Sequence, residues 1–160
     1  MAAKDLNVFH LGGEVWRGPA PKNYAQMQQL IDLGIGYWLH LENGYQRLLP
    51  SGWRHQARDW QVRACRRYIY MPFSNLEFPD ERVLQWCGLQ IQASATLGGG
   101  VYVSCKHGKD RTGITIAYWR VKHCGWTPQA AWDESQMLGM HSFYLWLGWE
   151  KKFFNLFRKE

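Results

Sequence analysis

The sequence predicts an α/β fold around one sheet, and three observations carry that prediction. Short strand-like runs alternate with stretches of helical periodicity. Glycine and proline punctuate the changes between them. A length of 160 residues with 46% hydrophobic and 16% aromatic content suits one cored domain and is too short for two ordinary ones.

Residues 8–11 and 14–17, joined by Gly12–Gly13, read as a hairpin, and Pro19 and Pro21 then break the chain. Leu30, Ile31 and Leu33 close an amphipathic helix ended by Gly34 and Gly36. Residues 37–41 form the next strand, Asn43 and Gly44 open a loop, and a basic, helix-compatible stretch covers 53–67. Residues 68–71 are a strand stopped by Pro72; 73–79 lack periodicity, and Pro79, Asp80 and Glu81 start a helix that runs to Leu97. Three glycines at 98–100 turn the chain into 101–104, a short run of buried-strand type.

Beyond residues 106–110, Ile114, Ala117, Tyr118 and Val121 fall at i, i+3, i+4 and i+7 of a helix that Gly125 ends. Thr127 followed by Pro128 is an N-cap with a first-turn proline, opening a helix that stops at Gly139. A last helix is expected over about 142–157, with Phe143, Trp146, Leu147, Phe153, Phe154 and Phe157 on one broad face. A membrane-surface role for its basic, aromatic end is weaker than docking on the domain.

Composition excludes several classes. Ten tryptophans and a substantial apolar fraction rule out a disordered chain. No apolar run approaches the ~18 residues that span a bilayer, and the first residues lack a secretory apolar stretch, so a cytoplasmic location is expected. Cys65, Cys87, Cys105 and Cys124 form no CxxC pair and the six histidines no HExxH, so neither a metal nor another cofactor is expected. The net charge of +6 points to an anionic partner; nucleic acid is the weaker explanation, and a monomer is expected.

One segment carries chemistry: CKHGKDRTG at 105–113, following the run VYVS. A buried strand, a glycine-containing loop and a helix start would aim backbone N–H groups at a bound phosphate. It is not a Walker loop, because Lys109 is followed by Asp110 rather than Ser or Thr. Instead Cys105, under that ring of N–H groups, is a candidate thiolate nucleophile. Arg111 offers a planar fork for two phosphoryl oxygens. Thr112 can give its hydroxyl to the sulfur, and Gly108 and Gly113 permit the tight turn. Lys106, His107, Gly108, Lys109, Asp110, Arg111 and Thr112 together make the candidate phosphate-binding set.

The CxxxxxR spacing resembles the phosphate loop of cysteine-dependent phosphatases of the protein tyrosine phosphatase superfamily, in the compact dual-specificity type. EVWRGPAP at 14–21, GIGYWL at 34–39, YMPFS at 70–74, AYWRV at 117–121 and GWTPQAA at 125–131 extend the resemblance over roughly residues 8–140. It implies a single phosphatase domain over 1–160, with a central four- or five-stranded sheet flanked by helices on both faces. It also implies a cysteinyl-phosphate intermediate. The chain departs from the pattern at Ser104, where most relatives carry a histidine that orients the loop. Some relatives protect the nucleophile with a neighbouring strand cysteine; Cys65 lies just before such a strand, and core packing is the simpler role for it.

The resemblance implies an acid some 25–35 residues before the cysteine, a region that offers Asp80, Glu77 and Glu81. Asp80 is equally a helix start. Asp110, immediately before Arg111 as in some phosphoinositide-directed branches, is the competitor, with loop shaping as its alternative. Lys106 and Lys109 exceed what one phosphotyrosine dianion needs, so the expected partner is a phosphoinositide, an inositol phosphate or a phosphoprotein. An RNA 5′-triphosphatase, suggested by His107, and a phosphate-binding domain without turnover are the alternatives.

Overall fold

Two runs buried along their whole length, Ile35–Glu42 (β3) and Gly100–Cys105 (β5), form the centre of the fold. The computed structural model describes residues 5–43, 67–141 and 147–158. Around that centre lie Phe9–His10 (β1), Val15–Pro19 (β2) and Arg67–Phe73 (β4), giving a five-stranded sheet in the order β1-β2-β5-β3-β4. Every pairing is parallel except β1 with β2, the hairpin expected from Gly12 and Gly13. Parallel central strands covered on both faces read as continuous apolar runs, which is why these two were legible.

Among the described residues there are five helices: Tyr24–Asp32 (α1), Glu81–Thr96 (α2), Arg111–Cys124 (α3), Pro128–Met137 (α4) and Trp149–Asn155 (α5). One face packs Met27 and Leu30 of α1 on Ile35, Trp38 and Tyr102. The other packs Ile91 of α2 and Ile116 and Trp119 of α3 on Leu39, Leu41, Val101 and Val103. A third cluster, with Trp132, Trp149 and Phe153, covers the far side of α3, so residues 111–120 are buried on every side. The α/β class and the flanking of both faces agree with the sequence expectation.

Two boundaries differ. β4 continues through Pro72 to Phe73 instead of stopping. It lies at the sheet edge, where a missing ladder N–H is tolerated. The last helix does not run unbroken to its end: Gly148 adopts a left-handed conformation with φ of 77° and α5 starts only at Trp149. Residues 142–146, with Phe143 and Trp146, lie outside the described residues, as do Gly44, the basic stretch at 53–66 with Trp53 and Trp60, and Cys65. Trp149, unaccounted for by periodicity, is fully buried and meets Phe78 edge to face at 5.6 Å.

The register brings the carboxyl ends of three strands together, pairing Gly18 with Ser104, Pro19 with Cys105 and His40 with Ser104. That edge of an open α/β sheet is where ligands bind.

Candidate active site

Cys105 is the last residue of β5, almost wholly buried, and its carbonyl accepts from the N–H of Ala20 at 2.9 Å. The chain then turns through 106–110 into α3, whose first residue is Arg111. Gly108 makes the turn possible twice over. Its φ is 70°, and a Cβ there would lie 2.1 Å from the carbonyl carbon of Gly18 and 2.5 Å from the nitrogen of Pro19. The loop therefore rests directly on the end of β2.

Asp110 occupies the N-cap position of α3 without capping it. Its Oδ1 accepts instead from the N–H of His141, at 2.9 Å. The first-turn N–H groups of α3 are left uncapped by that side chain at the positive end of a helix dipole. An anion is the natural partner for such groups.

Arg111 is nearly buried and held from the side of the sheet: Nη1 donates to Asn43 Oδ1 at 2.9 Å and to the Phe73 carbonyl at 3.2 Å. The ends of β3 and β4 thereby orient a guanidinium whose other edge remains available for two oxygens of one phosphoryl group. Thr112 Oγ1 is buried with no hydrogen-bond partner among the described residues, so the expected bond to the sulfur is not formed here. Lys106, His107 and Lys109 are exposed at the mouth, and the stem of Lys109 lies over Gly139. Partial burial, with Lys106, Lys22 and Lys109 nearby, lowers the His107 pKa and favours the neutral ring.

The two acid candidates sit differently. Asp80 N-caps α2: its Oδ1 accepts from the Arg82 N–H at 2.8 Å and from Arg82 Nε at 3.3 Å, which lowers its pKa. No hydrogen bond ties it to the loop among the described residues. Asp110 belongs to the loop itself. Glu77 is exposed, and Glu81 accepts weakly from Tyr118 at 3.5 Å. Cys87 is buried in α2, which pushes its thiol up to about 12, an inert position.

Two residues with no role assigned from sequence belong to this site. Arg17, fully buried on β2, donates through Nη2 to the carbonyls of Gly108 at 3.0 Å and Lys109 at 3.4 Å, bracing the loop from beneath. An arginine two places after Val15 on a strand face that alternation assigns to the core was the available signal. Asn43, which fixes Arg111, looked only like a turn residue.

A cysteine at a strand end, an uncapped helix start and an oriented arginine make a candidate phosphate site, and the comparisons give the class of the chain. No protein-family model matches the chain. Over 158 residues it is 38% identical to the dual specificity protein phosphatase TpbA of Pseudomonas aeruginosa, a match covering 87% of this chain and 71% of that protein. A phosphatidylglycerophosphate phosphatase, PTPMT1 of Arabidopsis thaliana, is 30% identical over 110 residues, covering 68% of this chain and 31% of that protein.

The crystal structure of a TpbA variant in complex with pTyr superposes with a TM-score of 0.65 at 26% identity, covering 84% of this chain and 75% of that one. PTPMT1 in complex with PI(5)P shares the fold, with a TM-score of 0.69 at 16% identity over 92% of this chain and 97% of that one. The chain belongs to the dual-specificity protein phosphatases and is a phosphatase. Relatives named as phosphatases favour neither the RNA 5′-triphosphatase alternative nor a domain that binds without turnover.

Proposed function

We propose that the chain hydrolyses phosphate monoesters in two displacements at the 105–112 loop. The Cys105 thiolate attacks phosphorus, forming an S–P bond as the ester P–O bond breaks and the leaving oxygen takes a proton. Water then attacks the cysteinyl phosphate, releasing inorganic phosphate and regenerating the thiolate. Arg111 spans two equatorial oxygens in both steps, with the uncapped N–H groups of α3 sharing the charge. The observation that carries this reading is the placement of Cys105 at the strand end, with Arg111 pinned by Asn43 and Phe73.

Asp110 is the better-placed proton donor. The Asp80 carboxyl is held ionised by Arg82, the wrong direction for an acid, whereas Asp110 lies in the loop and uses one oxygen on His141. The substrate class is a phosphoinositide or inositol phosphate, with phosphotyrosine as the second reading. Lys106 and Lys109 at the mouth suit additional phosphates, and one relative is named for a phospholipid substrate. The pTyr complex of TpbA supports the second. A single domain acting as a monomer in the cytoplasm completes the proposal; the free thiols Cys87, Cys105 and Cys124 fit a reducing compartment.

The test is turnover of a panel of an aryl phosphate, phosphotyrosine peptides, phosphoinositides and inositol phosphates, with pH–rate profiles for Asp110→Asn and Asp80→Asn. Vanadate-sensitive hydrolysis lost in Cys105→Ser is expected, with the basic limb on a phenolic ester removed only by Asp110→Asn. Turnover of phosphopeptides alone would overturn the substrate class, and an unchanged limb in Asp110→Asn would overturn the acid.

A further inference from the structure

Ser104 precedes Cys105 on β5, and its side chain leaves the sheet on the opposite face. There its Oγ lies 2.7 Å from Trp38 Nε1 and 2.7 Å from His40 Nδ1. On the far side of the imidazole, Nε2 stands 3.5 Å from Glu42 Oε2. Trp38, His40 and Ser104 are completely buried and Glu42 is 5% exposed. This polar chain lies directly beneath the residue before the nucleophile.

Donor and acceptor chemistry gives the chain a direction. An indole N–H can only donate and an ionised carboxylate can only accept. Ser104 Oγ therefore accepts from Trp38, and it gives its own proton to His40 Nδ1 in the tautomer that leaves that nitrogen unprotonated. The imidazole then carries its proton on Nε2, facing Glu42, a tautomer assigned from these partners. In that tautomer the hydrogens of Trp38 and Ser104 both point toward His40, whose Nε2 lies at ion-pair distance from Glu42.

That order requires a neutral ring. Burial lowers the His40 pKa; Glu42 and Ser104 work against that shift, and the positive charge of Arg111 reinforces it. Among the described residues, Tyr70 of β4 also faces the ring, stacked at 5.9 Å with Tyr68 beside it, as does Trp38, tilted at 5.2 Å. Protonation would turn Nδ1 into a donor, and Ser104 Oγ would then face two donors at once. Its own proton would have to leave the position it holds in the neutral chain.

We propose that neutral His40 is a positioning residue for the phosphate loop, holding Ser104 and, through it, the strand end that presents Cys105. Protonation of His40 reverses the chain and loosens that hold. His40 touches no substrate and acts only through Ser104. The proposal rests on Cys105 being the nucleophile.

The experiment compares kcat and KM for an aryl phosphate between pH 4.5 and 8 in the wild type, His40→Asn, His40→Leu and Ser104→Ala, each checked by thermal unfolding. Asparagine places an uncharged acceptor near the Nδ1 position, whereas leucine removes it. His40→Leu is expected to lose about tenfold or more in kcat with little change in KM. His40→Asn should keep most of the kcat at pH 7.5 and show an acid limb shallower by one proton. Placing His40→Asn on Ser104→Ala should then change nothing further in the profile.

Wild-type kcat in His40→Leu at every pH would overturn the proposal. So would equal losses in the leucine and asparagine variants with a wild-type acid limb, which would indicate packing alone. Should His40→Leu fail to fold, the asparagine profile decides by itself. Activity surviving in Cys105→Ser would instead remove the reading on which the proposal stands.

Discussion

Arg17→Met removes a buried guanidinium and leaves a side chain of comparable length in its place, so it tests whether bracing the loop is a matter of stability or of activity. The guanidinium gives Nη2 to the Gly108 carbonyl at 3.0 Å and, at the long distance of 3.4 Å, to that of Lys109. Its Nε and Nη1 are buried with no partner among the described residues. Burial lowers its pKa from the usual arginine range to about 10, opposed by Cys105, Glu134 and Asp110. That difference corresponds to a charging cost of ~3 kcal/mol in the fold. A good hydrogen bond from a charged donor returns about 1.5–3 kcal/mol, and the longer one returns less.

Cost and gain nearly cancel, so Arg17→Met should change the unfolding free energy by less than about 2 kcal/mol in either direction. The loop, however, loses the group that fixes two of its peptides. A fall of about 10–100-fold in kcat/KM corresponds to ~1.4–2.8 kcal/mol of lost transition-state stabilisation. The assay is aryl phosphate hydrolysis beside thermal unfolding. The lowered pKa also sets a sign: from about 10 up to the usual arginine range the unfolded chain binds the extra proton, so this group's contribution to stability rises with pH there. The stability gap between wild type and Arg17→Met should move in favour of the wild type across that window. A variant that keeps kcat/KM within about threefold, or one that loses activity only because it unfolds, would refute the reasoning.

Two further outcomes follow from the loop's packing. Gly108→Ala puts a Cβ 2.1 Å from the Gly18 backbone in a left-handed conformation and should cost more than about 100-fold in kcat/KM. Gly113→Ala meets the flexible Met140 Cε at 3.0 Å and should be far milder; the reverse order would show that the loop does not rest on β2. Thr112→Val replaces a buried hydroxyl without a partner by a methyl group and should leave stability unchanged or raise it by up to about 1 kcal/mol. The same change should lower kcat severalfold if the hydroxyl turns to the sulfur once the thiolate forms; an unchanged kcat would show that it does not.

Much of this was legible because the signals were local. The apolar run at 101–104 with its glycines, and Thr127 before Pro128, each dictate structure within a few residues, and the strand, loop and helix around Cys105 follow from them. Pro72 misled because being an edge strand is a tertiary fact: alone it reads as a stop, and at the rim of the sheet it is tolerated. Gly148 was passed over because the aromatic stripe across it kept helical spacing. Arg17 and His40 were missed for a different reason. Arg17 reaches a carbonyl 91 positions away and His40 a hydroxyl 64 positions away, through sheet pairings that no local pattern predicts. What the sequence did show was a charged or polar residue within a run otherwise destined for the core. In a buried parallel strand such a residue needs a partner, and the partner turned out to be the loop or its neighbour.

The same distinction bears on the net charge of +6. The cations of this site form two sets that obey different electrostatics. Arg17 and Arg111 are buried beneath and beside the loop, where the dielectric is low and salt does not reach, so on the proposed mechanism their charge would serve every phosphoryl group alike. Lys106 and Lys109 stand in solvent at the mouth, where a single charge pair contributes little and is screened. A lone phosphate seated in the loop is already served by the buried pair and the helix end. The lysines can therefore discriminate only between substrates that differ in charge beyond that phosphate. On the proposed mechanism, catalytic power and substrate choice fall to separate cations, and removing the lysines should alter the order of preference among substrates while leaving the cleavage of a simple aryl phosphate largely as it was.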